Sequence, residues 1–142
     1  MDLYEEAVLH YIASSNKRFI NPQFNLSYNS KKDIGGSLPD FVILDFEDKT
    51  IYIVEVTKAY DIKNLLSKVS EREKRWILPI KETIASSFSE WDYHVTLFLR
   101  EDRVEYAKNK LEEDVDVSVI SLKEINSFLG NGKFEGKNSL KN

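Results

Sequence analysis

Apolar side chains at Tyr4, Val8, Tyr11 and Ile12 recur every three or four positions within residues 2–15. That spacing predicts a helix with one buried face, and Asp2 is placed to cap its first turn. Phe24, Leu26 and Tyr28 then alternate with Gln23, Asn25 and Ser27, the period of a strand covered on one side. Residues 29–37 are polar and contain Gly35-Gly36, a loop composition. Residues 41–46 and 50–57 are rich in β-branched and aromatic side chains and are separated only by Glu47, Asp48 and Lys49, as in an antiparallel hairpin.

From residue 61 to 87 the pattern becomes helical, with Pro79 placed to kink or divide it. Residues 93–99 read as a buried strand, 103–113 as a helix, 115–120 as a strand and 122–129 as a short helix. The resulting order is α-β-β-β-α-β followed by α-β-α. It predicts an α/β fold with a mixed central sheet flanked by helices on both faces. Residues 1–130 form one domain in this reading. Residues 131–142, rich in Lys, Asn and Gly, form a flexible tail.

Composition narrows the class. The chain has 142 residues, 42% hydrophobic and 12% aromatic, enough for one real core. Its net charge of -4 argues against coating nucleic acid by overall positive charge. Absence of cysteine excludes disulfide scaffolds, thiol nucleophiles and cysteine-based zinc sites. No apolar run approaches the roughly 20 residues of a membrane helix, and the start Met1-Asp2-Leu3-Tyr4-Glu5-Glu6 is acidic. A soluble, cytoplasmic protein without membrane partners is expected.

The chemistry concentrates around Leu38-Pro39-Asp40-Phe41 and Ile53-Val54-Glu55-Val56-Thr57-Lys58. Strand periodicity puts Ile51, Ile53, Glu55 and Thr57 on one face and Tyr52, Val54, Val56 and Lys58 on the other. Both faces are otherwise apolar, so Glu55 needs a hydrogen bond, an ion pair or a metal. In an antiparallel hairpin Asp40, at the start of one strand, lies beside Glu55, near the end of the next. Two converging carboxylates suit a hard divalent cation, Mg²⁺ or Mn²⁺, and a lysine nearby can stabilise charge on a phosphate. The simpler alternatives are a turn cap for Asp40 and an ion pair for Glu55.

This stretch resembles the core of the PD-(D/E)XK nuclease superfamily: Pro39-Asp40, a hairpin, then Glu55 followed closely by Lys58. The α-β-β-β-α-β order over residues 2–99 is also similar to that superfamily's core. The resemblance implies a metal-dependent endonuclease acting on phosphodiester bonds of DNA. Asp40 and Glu55 would hold one or two Mg²⁺ or Mn²⁺ ions, the backbone carbonyl of Val56 would complete the sphere, and Lys58 would be the catalytic lysine. An extra acidic ligand would come from Glu5 or Glu6 of the first helix, with Glu6 preferred because it shares a face with His10. The position two residues after Glu55, where the family places its lysine, is Thr57. A basic residue of the next helix, Lys68, Arg72 or Arg75, is the other source of that charge.

Within residues 58–81, Lys58, Lys63, Lys68, Arg72, Lys74, Arg75 and Lys81 outnumber Asp61, Glu71 and Glu73. In an acidic chain this segment is the expected nucleic-acid-binding surface, with Lys68, Arg72, Lys74 and Arg75 as its contacts. DNA is favoured over RNA as the partner, and a homodimer would suit paired cuts. The competing readings are an inactive nucleic-acid- or protein-binding module of the same fold, and an adaptor that works through its acidic surface.

Overall fold

The computed structural model describes residues 2–13, 17–26, 29–125 and 140–141. In chain order it contains α1 (Leu3–Ala13), β1 (Arg18–Pro22), β2 (Phe41–Asp45), β3 (Thr50–Val56), α2 (Lys63–Ser70), α3 (Leu78–Thr83), β4 (Asp92–Leu99), α4 (Glu101–Lys110) and β5 (Val117–Ser121). The strands form one five-stranded sheet in the order β1-β2-β3-β4-β5. β1, β2 and β3 are antiparallel, while β4 and β5 run parallel to β3. This is the expected mixed α/β sheet with helices on both faces.

Period-two alternation divides the sheet between two cores. Val42, Ile51, Ile53, Val95, Leu97, Leu99 and Val119 pack with Val69, Trp76, Ile77, Ile80 and Ala107 from α2 through α4. Phe41, Ile43, Tyr52, Val54, Phe98 and Ile120 pack on the other side with Ala7, Val8, Tyr11 and Ile12 of α1. Trp76 is buried and donates its indole N–H to Ser37 Oγ at 2.7 Å, so it belongs to the core. His94 is buried within β4, with Nε2 2.8 Å from Ser118 Oγ. Burial, and secondarily the charge of Lys141, push it down to about 4, so the ring is neutral at physiological pH.

Three features depart from the periodicity. The first antiparallel strand lies at Arg18–Pro22, not at residues 23–28. Pro22 cannot donate a ladder hydrogen bond, and Gln23 turns the chain at φ 53°. Beyond it, among the described residues, only single bridges form, Leu26 to Ser37 and Asn29 to Ile34; Ser27 and Tyr28 lie outside the described residues. The long helix is broken before Pro79 rather than at it. A π-helical turn at Glu73–Ile77 separates α2 from α3, with the Leu78 N–H reaching back to the Glu73 carbonyl. Pro79 has no N–H to offer Arg75 and sits in the first turn of α3, where that loss is tolerated. Finally, Leu140 is fully buried in the α1-side core, and its carbonyl accepts from Thr96 Oγ1 at 2.7 Å. The chain therefore docks here, at a position assigned to the flexible tail; residues 126–139 lie outside the described residues.

The hairpin register is anchored by Asp45. Its Oδ2 accepts from Arg18 Nε at 2.9 Å, with side-chain exposures of 5% for Asp45 and 4% for Arg18. Its Oδ1 accepts the N–H groups of Glu47 and Asp48 at 3.1 and 3.0 Å. One carboxylate thus closes the turn and joins β2 to β1. Asp45→Ala is expected to lower stability by about 3–5 kcal/mol, because it strands the buried Arg18 charge. In urea unfolding the double variant Arg18→Met/Asp45→Leu should recover part of that loss. Leu140→Ala is expected to cost about 2–5 kcal/mol by the same measurement.

Candidate functional site

Phe41 pairs with Val54, so Asp40 and Glu55 each stand one position further out and face each other at the open end of the hairpin. Each carboxylate replaces a ladder carbonyl for its neighbour. The Val56 N–H donates to Asp40 Oδ2 at 2.7 Å, and the Asp40 N–H donates to the Glu55 carboxylate. The Asp40 carbonyl in turn accepts from the N–H of Gln23 at 2.8 Å. Val56 thus enters the site through its N–H group.

The third carboxyl comes from Glu5. Its N–H donates to Asp2 Oδ1 at 2.8 Å while its Oε2 accepts from the Asp2 N–H at 3.0 Å. This reciprocal capping box fixes the start of α1. The same Glu5 side chain hydrogen-bonds Asp40. Glu6 and His10 are exposed, so the preferred helix carboxylate is corrected from Glu6 to Glu5. The Asp2-x-x-Glu5 spacing was the sequence signal that could have identified it.

Burial is the largest influence on both central carboxyls. It pushes Asp40 up to about 7, aided by the hydrogen bond and charge of Glu5 and opposed by the Val56 N–H. It pushes Glu55 up to about 8, aided by the charge of Asp40 and opposed by that of Lys68. The Asp40–Glu55 pair therefore retains a proton at neutral pH, which lets the two carboxyls bond to one another. Among the described residues, no three His, Asp or Glu side chains form a ready-made metal-binding group. The carboxyls are strung through Asp40.

The basic residues are distributed differently from the expected surface. Lys68 of α2 acts on Glu55. Lys58 is turned to the α1 side of the sheet, with Nζ 5.4 Å from the Tyr4 ring centroid, because strand parity separates it from Glu55. Thr57 Oγ1 accepts the Ala59 N–H at 3.1 Å and shapes the loop after β3. Arg72 is held by Asp116 and Asp114 at 2.8 and 2.9 Å, clamping the helical segment to the approach to β5. Lys74 pairs with Glu71 at 3.1 Å and Asp33 at 3.6 Å, and Arg75 lies 3.8 Å from Glu71. Of the four residues assigned to a nucleic-acid surface, Arg72, Lys74 and Arg75 are engaged by carboxylates. Helical spacing could show the pairs to Glu71 but not those to Asp33, Asp114 and Asp116 from distant segments.

Comparison with known proteins finds no matching family, no matching curated protein and no matching solved structure. Among the described residues, no helix is long and apolar enough to cross a membrane.

The raised carboxyls set the sign of a pH effect. Between about pH 4 and pH 8 the folded chain holds protons at Asp40 and Glu55 that the unfolded chain releases, so stability falls as pH rises through that range. His94 acts in the opposite sense, but only as pH falls below its ordinary value of 6.5. Thermal unfolding without added cation should therefore show Tm falling from pH 6.5 to 8.5. Asp40→Asn and Glu55→Gln are each expected to flatten that decline; an unchanged slope would place the protons elsewhere.

Proposed function

We propose that this chain is a metal-dependent nuclease that hydrolyses phosphodiester bonds in DNA, on a divergent arrangement resembling the PD-(D/E)XK core. The observation that carries this reading is the meeting of Asp40 and Glu55 at the open hairpin end, with Lys68 acting on Glu55. Carboxylates forced together under burial are an unfavourable structural device unless a proton or a cation shares them. Their hard oxygen donors suit Mg²⁺ or Mn²⁺ in kind. Such ions commonly take one or two protein carboxylates and complete their shell with water and phosphate oxygens.

Asp40 and Glu55 would hold the cation once deprotonated, and Glu5 would orient Asp40. When bound, the cation would supply Lewis-acid stabilisation of the phosphate and an activated water. Lys68, in place of Lys58, would stabilise negative charge developing on the phosphate oxygens. The attacking water oxygen forms a bond to phosphorus, the bridging P–O bond breaks, and the departing sugar oxygen takes up a proton. The location at the carboxyl end of β3, where parallel β4 and β5 also end, accords with the usual position of ligand sites in α/β sheets.

The test is cleavage of labelled single-stranded, duplex and branched DNA with Mg²⁺, Mn²⁺ or EDTA. Metal-dependent cutting is expected, abolished in Asp40→Ala and Glu55→Ala and reduced roughly 10²-fold in Lys68→Ala. Titration calorimetry should show Mn²⁺ binding to wild type and none to Asp40→Ala. Absence of both cutting and Mn²⁺ binding would overturn the nuclease and favour a non-catalytic module of the same fold.

A further inference from the structure

A basic and aromatic surface lies at the same sheet end, running from Tyr4 and Lys58 on the α1 side to Tyr60 beside α4, where the resemblance assigns a role to Lys58 alone. Tyr60, in the loop after β3, is 59% exposed. The Arg103 guanidinium lies 4.3 Å from its ring centroid and 4.2 Å from that of Tyr106, and the Arg100 guanidinium lies 5.6 Å from the Tyr60 ring. Arg103 Nε is buried without a hydrogen-bond partner among the described residues, so stacking rather than ion pairing positions this cation. Beside it a cavity of about 540 Å³ is lined by Tyr4, Lys58, Arg100, Glu101, Asp102, Leu122 and Lys123, within the common ~300–1,000 Å³ range of ligand sites.

The acidic groups here are already engaged. Asp102 binds Arg100 at 2.8 and 3.1 Å, and Glu101 accepts the Ser121 hydroxyl. Asp61 Oδ1 accepts the Lys63 N–H at 3.1 Å. Lys58 and Lys123 have no carboxylate partner among the described residues. Tyr4 lines this cavity and is followed by Glu5, which reaches Asp40. The surface therefore continues directly from the carboxyl string.

We infer that Tyr4, Lys58, Tyr60, Arg100, Arg103 and Lys123 bind a single-stranded nucleic-acid segment next to the carboxylate site. Its place beside the point of cutting rests on the nuclease reading; the binding itself does not. An exposed tyrosine ring, stiffened from behind by guanidinium groups, offers a stacking platform to an unpaired base. Bases inside a duplex are already stacked and cannot use it. Lys58 and Lys123 supply phosphate contacts at a spacing set by the ends of β3 and β5.

The full chain, in EDTA so that nothing is cut, would be titrated into fluorescein-labelled oligothymidine and into a labelled duplex while anisotropy is read. Single strand is expected to bind more tightly. Tyr60→Ala should weaken that binding roughly tenfold and leave the duplex unchanged, and Tyr60→Phe should restore it. Lys58→Ala and Lys123→Ala should each lower the slope of log affinity against log salt by about 0.7. Lys32→Ala, which alters an exposed pair with Glu82, serves as the control. Equal binding of Tyr60→Ala and wild type, tighter binding of duplex, or no binding to either DNA would overturn the inference. Binding with these losses but no metal-dependent cutting would remove the nuclease and leave this surface standing. Cutting with no effect of Tyr60→Ala or Lys58→Ala on binding would do the reverse.

Discussion

The register of the β2–β3 hairpin depends on one buried carboxylate. Asp45 accepts two backbone N–H groups from its own turn and the guanidinium of Arg18 from the neighbouring strand. That sets Asp45 opposite Thr50 and, four pairs along, Phe41 opposite Val54. A slip of one residue would send every side chain of β3 to the other face. Glu55 would then leave the α2 side, and the two apolar faces that β3 supplies to the cores would exchange. The site at one end of the hairpin is thus positioned by an ion pair at the other.

At the site end the same chemistry has the opposite consequence. Asp45 is matched by a cation, whereas Asp40 and Glu55 meet chiefly each other, Glu5 and backbone N–H groups. Burial favours the neutral form of each, and proximity penalises charging both. The result is a pair that holds protons near neutral pH. Glu5 couples this balance to the fold, since the carboxyl that touches Asp40 also closes the first turn of α1.

Charge is redistributed as the chain folds. The basic helical segment counted as a free surface in sequence is largely neutralised: Arg72 by the approach to β5, Lys74 by Asp33 and Glu71, Arg75 by Glu71. The pairs to Asp33, Asp114 and Asp116 join segments far apart in sequence, while those to Glu71 lie within about one helical turn. Lys58, Arg103 and Lys123, with no carboxylate partner among the described residues, and Arg100, paired with Asp102, instead gather where three parallel strands end. Parallel connections bring every strand's carboxyl end to the same side, so residues without a shared motif become neighbours.

Local pattern alone determined the α/β class, the hairpin, both parallel strands and the approach of Asp40 to Glu55, because period and turn length act over a few residues. It also placed Lys58 and Glu55 on opposite faces, which follows from strand parity. The first strand lies at residues 18–22 instead of 23–28 because Pro22 and Gln23 end it early, and Phe24 and Leu26 pack on the core from a loop. The choice of Glu5 over Glu6, the neutral burial of His94 and the docking of Leu140 were decided by tertiary structure. So was the division of cations into paired and unpaired. Each depends on which distant group arrives at hydrogen-bonding or van der Waals distance, and in a chain with both sheet faces covered, that is settled only when the helices pack.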